Sequence, residues 1–336
     1  MKLLILGGTK FLGRHLVDAA LGRSHQVTLF NRGQTNPHLF PGVEKLSGDR
    51  DGNLDALKQR RWDAVADTCG FVSAQVRAAA KVLAGSTGHY TFISSISVYR
   101  DFRRAGQDES APLAKLPAGA VELIGDGASY GARKVLCEQA AETVMPGQVL
   151  SVRPGILVGP HDDTGRFTHW VRRVAAGGEV LAPGKPETPV QLIDVRDVAS
   201  CVIGMIEQQS VGAYNVTGPD EALTFSRMLA ACNEVGGNTA KIAWVHDSFL
   251  LQNGVAPFSN LPFWIPANAE TYAGFFAVDC TKARQSGLKC RSLIETARDT
   301  LLWEREAVRI GSPSKRVGLS AQREGELLSS WKLKKS

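Results

Sequence analysis

The sequence predicts an α/β protein with a doubly wound parallel sheet and a smaller, partly discontinuous C-terminal region. Three observations predict it. Short apolar runs alternate with helix-period patterns through the first half of the 336 residues, as in chains of βαβ units. A glycine-rich turn, Gly7-Gly8-Thr9-Lys10-Phe11-Leu12-Gly13, joins the first apolar run to the first helical pattern. The length suits more than one domain of roughly 100–200 residues, and the alternation becomes less regular in the second half.

Lys2 to Leu6 reads as the first strand, and Phe11 to Leu21 as a helix with Phe11, Leu12 and Leu16 on one face. Gln26 to Phe30 is the second strand and Ala64 to Asp67 a later one. A helix over Ser73 to Leu83 precedes a strand over His89 to Ser94, and a long helix over Ser129 to Thr143 precedes a strand over Val149 to Val152. Such a series places a ligand crevice at the carboxyl ends of the strands. Phe167 to Ala176, Val195 to Gln208, Phe225 to Val235 and Leu293 to Val308 follow with helical periodicity, and Ala213 to Val216 is a short strand. Gln252 to Asn268, broken by Pro and Gly and carrying Phe258, Phe263 and Trp264, reads as a loop-rich pocket wall. Ser312 to Lys315 reads as a link to a final helix near Ala321 to Trp331. The expected organisation is a sheet domain over 1–155 to which 187–220 returns, a second region over 156–186 and 221–311, and a tail helix within 312–336.

Composition excludes several classes. A hydrophobic content of 43% is too high for a disordered chain. The formal net charge of +6 invites a nucleic-acid reading, but residues 301–336 hold eight Lys/Arg against four Asp/Glu and so carry +4 of it. A basic end such as Trp331-Lys332-Leu333-Lys334-Lys335 reads as a solvated helix end, and no nucleic-acid partner is expected. No apolar run approaches the 18 or more residues of a membrane span. Met1 to Leu6 is too short an apolar stretch for a signal peptide. The six cysteines have no metal or redox spacing and read as reduced, buried thiols, so a cytoplasmic protein is expected.

Glycines after a strand let the backbone approach a pyrophosphate, whose charge the free N–H groups of the following helix receive. The turn at Gly7 to Gly13 therefore predicts a dinucleotide site on a Rossmann-type sheet. About twenty residues further on, the second strand ends at Asn31-Arg32-Gly33, with no carboxylate for a ribose 2′-hydroxyl and a guanidinium suited to a 2′-phosphate. NADP(H) is thus expected over NAD(H), with Lys10 as a second cation. Tyr130 and Lys134 lie four apart and so share a helix face. A nearby ammonium stabilises a phenolate and suits the Tyr to proton transfer. Ile93-Ser94-Ser95-Ile96-Ser97-Val98-Tyr99, a strand ending in hydroxyls, precedes the pair.

On these residues the chain resembles the extended short-chain dehydrogenases/reductases of the NAD-dependent epimerase/dehydratase superfamily, over nearly its whole length. The matching pieces are the glycine turn, Gly48-Asp49 for the adenine, the Ser-Ser-x-x-Val-Tyr segment, Tyr130 with Lys134, and Arg153-Pro154-Gly155. The resemblance implies that Ser95 is the catalytic hydroxyl, that Tyr130 is the acid/base and that Lys134 also binds the nicotinamide ribose. It implies a nicotinamide pocket lined by Pro154, Gly155 and Ile156. The candidate cofactor contacts are Gly7, Thr9, Lys10, Phe11, Leu12 and Gly13, then Asn31, Arg32, Asp49 and Arg50, then Cys69, Gly70 and Ser94, with Tyr130, Lys134 and the nicotinamide trio. A homodimer through helices like Ser129 to Thr143 is a habit of the family.

Departures from the pattern narrow the expectation. Lys10 replaces the middle glycine of the turn, a variant associated with a bacterial reductase-like branch and with chloroplast stem-loop-binding proteins. Where sugar-nucleotide epimerases carry Arg-Tyr-Phe-Asn this chain has Arg153-Pro154-Gly155-Ile156, and Val190 stands where they place a pyrophosphate-binding Arg. Both changes weaken a nucleotide-sugar reading. Candidate substrate contacts are Ser97, Gln191, Trp170, Phe263 and Trp264, with Phe258 as a further wall. Asp197 is read as organising its loop. His161, Asp162, Asp163 and His169 lack regular ligand spacing, so no metal is expected. The expected activity is NADP(H)-dependent reduction of a carbonyl on a small organic substrate. The alternatives are an epimerase or dehydratase with transient hydride transfer, and a catalytically silent RNA-binding relative.

Overall fold

The computed structural model describes residues 1–122, 127 and 129–335. Its elements begin with β1 (Lys2–Leu6), α1 (Phe11–Gly22), β2 (Gln26–Asn31), β3 (Glu44–Ser47), β4 (Ala64–Asp67), α2 (Ser73–Leu83), β5 (Tyr90–Ile93), α3 (Tyr130–Val144) and β6 (Val149–Pro154). They continue through β7 (Leu157–Val158), α4 (Arg166–Ala175), β8 (Gly178–Pro183), β9 (Pro189–Val190), β10 (Ile193–Asp194), α5 (Val195–Glu207) and β11 (Gly212–Val216). Then come β12 (Leu223–Thr224), α6 (Phe225–Val235), β13 (Ala240–Val245), α7 (Asp247–Gln252), α8 (Thr281–Gln285), α9 (Leu293–Arg309) and α10 (Ala321–Lys335).

Seven parallel strands form the central sheet in the order β11-β6-β5-β4-β1-β2-β3. Side chains alternate across a strand, and β1 shows the result. Leu3 and Ile5 pack with Leu16 and Val17 of α1 and Val198 and Val202 of α5, while Leu4 and Leu6 pack with Ala79 and Leu83 of α2 and Cys137 and Ala141 of α3. The sheet is therefore covered on both faces, and its strands read as continuous apolar runs for that reason. The order reverses direction between β1 and β4, which opens a crevice at their carboxyl ends.

A second core lies beyond the sheet, where α4, α6, α9 and α10 gather around the parallel pair β8 and β13. Ser292 caps α9 by accepting from the Glu295 N–H. Strands β3, β8 and β13 were not legible in the sequence; β3, for instance, exposes Glu44, Lys45 and Ser47 and has no apolar alternation. The final helix is docked through its middle and ends in solvent. Helix α10 buries Leu327, Leu328 and Trp331 in the second core and pairs Glu324 with Arg173 and Lys332 with Glu179, while Lys332, Leu333 and Lys334 stand exposed, as a solvated helix end would. Among the described residues no helix is long and apolar enough to cross a membrane.

Candidate active site

The crevice is a cleft of about 870 Å³ lined from the glycine turn to the start of α4. Gly7 and Gly8 make the turn with φ of 102° and 89°, a region that side chains rarely adopt. A Cβ on Gly8 would also lie 2.6 Å from the Leu29 side chain, so the turn can hold neither residue with a side chain. Thr9, Lys10, Phe11, Leu12 and Gly13 line the cleft beside them. Arg32 stands exposed at the end of β2, lines the cleft and pairs with no carboxylate among the described residues.

Several predicted cofactor contacts are engaged elsewhere. Asn31 lines the cleft, yet its amide donates to the Gly7 carbonyl at 2.9 Å and accepts from the Gly33 N–H at 2.9 Å, so it braces the turn. Lys10 is paired with Asp163 at 2.5 Å, both side chains being half-exposed. Arg50 is turned inward: its terminal nitrogens donate to Asp67 at 2.5 and 2.7 Å, and its side chain is only 9% exposed. Burial pushes the Asp67 carboxyl up, but Arg50 and hydrogen bonds from Tyr90 and the Cys69 N–H outweigh it and hold Asp67 below the usual carboxylate range. Asp67 is a site-shaping residue that sequence reasoning missed; its signal was an acid ending an apolar strand. Asp49 lines the cleft and caps its own turn by accepting from the Asp51 N–H.

At the other end of the cleft, the Ser95 hydroxyl caps the 3-10 turn Ile96–Val98, accepting from the Ser97 N–H and donating to the Ser97 hydroxyl, both at 3.1 Å. The Tyr130 side chain is hydrogen-bonded to Ser95. Helix α3 reaches this turn because residue 131 is glycine: a Cβ there would lie 1.9 Å from the Ser97 carbonyl oxygen. Burial raises the Tyr130 phenol above its ordinary pKa, against the bond to Ser95 and the charge of Arg133. Lys134 lies in the floor at 3% exposure, donating to the carbonyls of Gly70 at 2.9 Å and Ile93 at 2.6 Å. Burial lowers it to about 8. The Lys134 ammonium donates to the floor carbonyls, and the charges of Arg133 and Arg166 act on the Tyr130 phenol.

Pro154, Gly155 and Ile156 line the cleft as the end of β6 and the turn after it, with the Gly155 N–H donating to the Val216 carbonyl at 3.1 Å. Cys69 and Ser94 line it too, and Ser97 stands at its edge. The remaining substrate candidates are elsewhere. Gln191 uses both ends of its amide on the backbone of Val278, at 2.9 and 3.1 Å. Trp170 is fully buried and donates to the Pro262 carbonyl at 2.8 Å, and Phe263 and Trp264 are core residues, Trp264 donating to Asp247 at 2.8 Å. Each reads as a pocket aromatic from sequence because burial in a core and in a cleft leave the same composition. The walls that the structure supplies instead are Phe71, Phe275, Thr164 and Arg166. Asp197 does anchor a loop, accepting from the Arg291 N–H and guanidinium at 2.8 Å each. His169 packs against Gly318, and His161 lies edge-on to Trp303 and within hydrogen-bond distance of Arg14.

The cleft fits a dinucleotide on its own terms. Its turn is one that only glycines can make, and two buried polar atoms of residues lining it, Ser94 Oγ and Arg50 Nε, have no hydrogen-bond partner among the described residues. A Rossmann-type sheet with this turn at its switch point, and a Ser, a Tyr and a Lys at the far end of one cleft, is the arrangement expected of the extended short-chain dehydrogenases/reductases. The chain is similar to that superfamily: the model of the NAD dependent epimerase/dehydratase family matches residues 71–217. It is similar to the chloroplast stem-loop binding protein of 41 kDa b of Arabidopsis thaliana, 27% identical over 256 residues, which cover 70% of this chain and 63% of that one. The chain thus matches less than two thirds of that relative's length. A protein of Synechocystis sp., provisionally named a dihydroflavonol 4-reductase, is 25% identical over 346 residues, covering 89% of this chain and 93% of its own. The fold is that of the UDP-glucuronic acid 4-epimerase of Bacillus cereus solved with NAD, at a TM-score of 0.64 and 15% identity, covering 91% of this chain and 99% of that one.

Proposed function

We propose that the chain is an NADP(H)-dependent reductase that delivers a proton from Tyr130 to the oxygen of a small carbonyl substrate. The observation that carries this reading is the hydrogen-bonded Ser95–Tyr130 pair above the buried Lys134, in one cleft with an unpaired Arg32. Burial keeps the phenol protonated at neutral pH, as a proton donor requires. Ser95 is placed to hydrogen-bond the same oxygen as charge develops on it. Lys134, anchored by two carbonyls, leaves one of its three N–H groups for a ribose hydroxyl. The dinucleotide, when bound, supplies the hydride. Arg32, and Lys10 once it leaves Asp163, would hold the 2′-phosphate. The sheet lobe would bind the cofactor and the second lobe the substrate.

Two features favour reduction over a nucleotide-sugar reaction. Val190 is buried against Leu223, and Ile156 is buried too, so neither position offers a cation to a nucleotide diphosphate. The charge pattern also speaks against a nucleic-acid role, since the basic end of the chain is docked through ion pairs to Glu179 and between Arg173 and Glu324. Tyr130→Phe is expected to leave the NADPH dissociation constant within about twofold and to lower kcat by roughly 10²–10⁴. An unchanged kcat in that variant would overturn the assignment.

A further inference from the structure

The arginines that line the cleft are Arg32, Arg50 and Arg166. Arg50 holds the Asp67 carboxylate, whereas Arg32, at the end of β2, and Arg166, at the start of α4, hold none among the described residues. The Arg166 Nε donates to the Thr164 hydroxyl at 3.1 Å, which fixes the plane of the guanidinium and leaves both terminal nitrogens unengaged. The guanidinium carbon lies 5.8 Å over the Phe258 ring, an aromatic of the second core, so the head group is on the substrate side of the cleft rather than at the glycine turn. It lines the same cleft as Tyr130, and its charge acts on the phenol. The acids nearest to it are already engaged: Asp162 accepts from the Thr164 N–H and hydroxyl at 2.8 and 3.0 Å, and Asp163 pairs with Lys10. Phe71 and Phe275 form apolar walls of the same space.

We propose that Arg166 receives a carboxylate of the substrate, so that the enzyme takes small carbonyl compounds bearing an acid group. A planar guanidinium with two free parallel N–H edges matches a carboxylate in bidentate fashion, and the partly apolar cleft strengthens that pairing. The carbonyl half of this statement rests on the reductase reading; the acid half rests on Arg166 alone. Arg166 also adds positive charge where the alkoxide would form, which lowers the cost of that charge.

The test separates the two halves. NADPH-loaded protein is titrated with 4-carboxybenzyl alcohol and with its neutral match 4-carbamoylbenzyl alcohol, which cannot react with the reduced cofactor. The wild type is expected to bind the acid roughly 10- to 100-fold more tightly, with a preference that shrinks at high salt. Arg166→Gln should abolish the preference with the NADPH dissociation constant unchanged, and Arg166→Lys should retain part of it. Equal binding of the two alcohols by the wild type, or an undiminished preference in Arg166→Gln, overturns the inference, as does a loss of NADPH affinity in that variant with acid binding intact. If the acid preference holds but 4-carboxybenzaldehyde consumes no NADPH, the Arg166 site stands and the reductase reading fails.

Discussion

At the scale of single residues, the site is built on costly burial. Lys134 is taken out of water and lowered to about 8, against an ordinary value near 10.5. Between pH 8 and 10.5 the unfolded chain holds a proton at this position that the folded chain has released, so folding stability rises with pH across that window. Comparing Lys134→Met with the wild type by denaturant unfolding should show the wild type gaining up to about 3 kcal/mol relative to the variant over the window, and a constant difference below pH 7. A difference that does not change with pH would mean that the ammonium is solvated. The cofactor end involves a weaker interaction. Lys10 and Asp163 are 65% and 49% exposed, and such a pair contributes about 0–1 kcal/mol, so it yields readily to a phosphate. Asp163→Asn should therefore tighten NADPH by no more than about fivefold, whereas Arg32→Ala should weaken NADPH and leave NADH nearly unchanged. Equilibrium fluorescence titration of both cofactors checks the two variants.

At the scale of elements, the hydroxyl-bearing turn and α3 form one unit. Gly131→Ala sets two effects against each other. Alanine favours a helix interior over glycine by about 1 kcal/mol, but its Cβ would meet the Ser97 carbonyl oxygen, which is backbone and cannot rotate away. Overpacking costs about 1–3 kcal/mol, so a net loss of stability is expected, together with a larger loss of kcat as Tyr130 moves away from Ser95. Thermal unfolding and kcat measured on the same sample test this; an unchanged kcat with lowered stability would separate the helix contact from catalysis. Helices α2 and α6 were legible in the sequence because one buried face imposes its period on the residues, and β1 because burial on both faces makes it a continuous apolar run. Strand β13 was not legible, since only Val245 of its six residues is fully buried and its partner β8 is remote in sequence. The final helix was legible as a helix but not as a docked one: it is short on apolar residues, and its role depends on a surface formed by distant segments.

At the scale of the whole molecule, the chain forms two main cores with a cleft at their edge. The cofactor side of that cleft follows from local sequence, because a glycine turn, a Tyr and a Lys at helical spacing, and a strand ending in serines are each contiguous motifs. The substrate side does not. Gln191, Trp170, Phe263 and Trp264 have the composition of a pocket and the positions of a core or a clasp, while Phe71, Phe275 and Arg166 are brought together only by the fold. Buried pairs such as Arg50 with Asp67 likewise need tertiary structure to be seen, and they turn an expected cofactor contact into a brace beneath the site. The central claim is that the cleft performs net reduction, and the most direct measurement is stoichiometry: NADPH oxidised, read at 340 nm, against alcohol formed from 4-carboxybenzaldehyde by chromatography. One NADPH per alcohol, lost in Tyr130→Phe, is the predicted result. Conversion of a substrate with no net change in NADPH would contradict it.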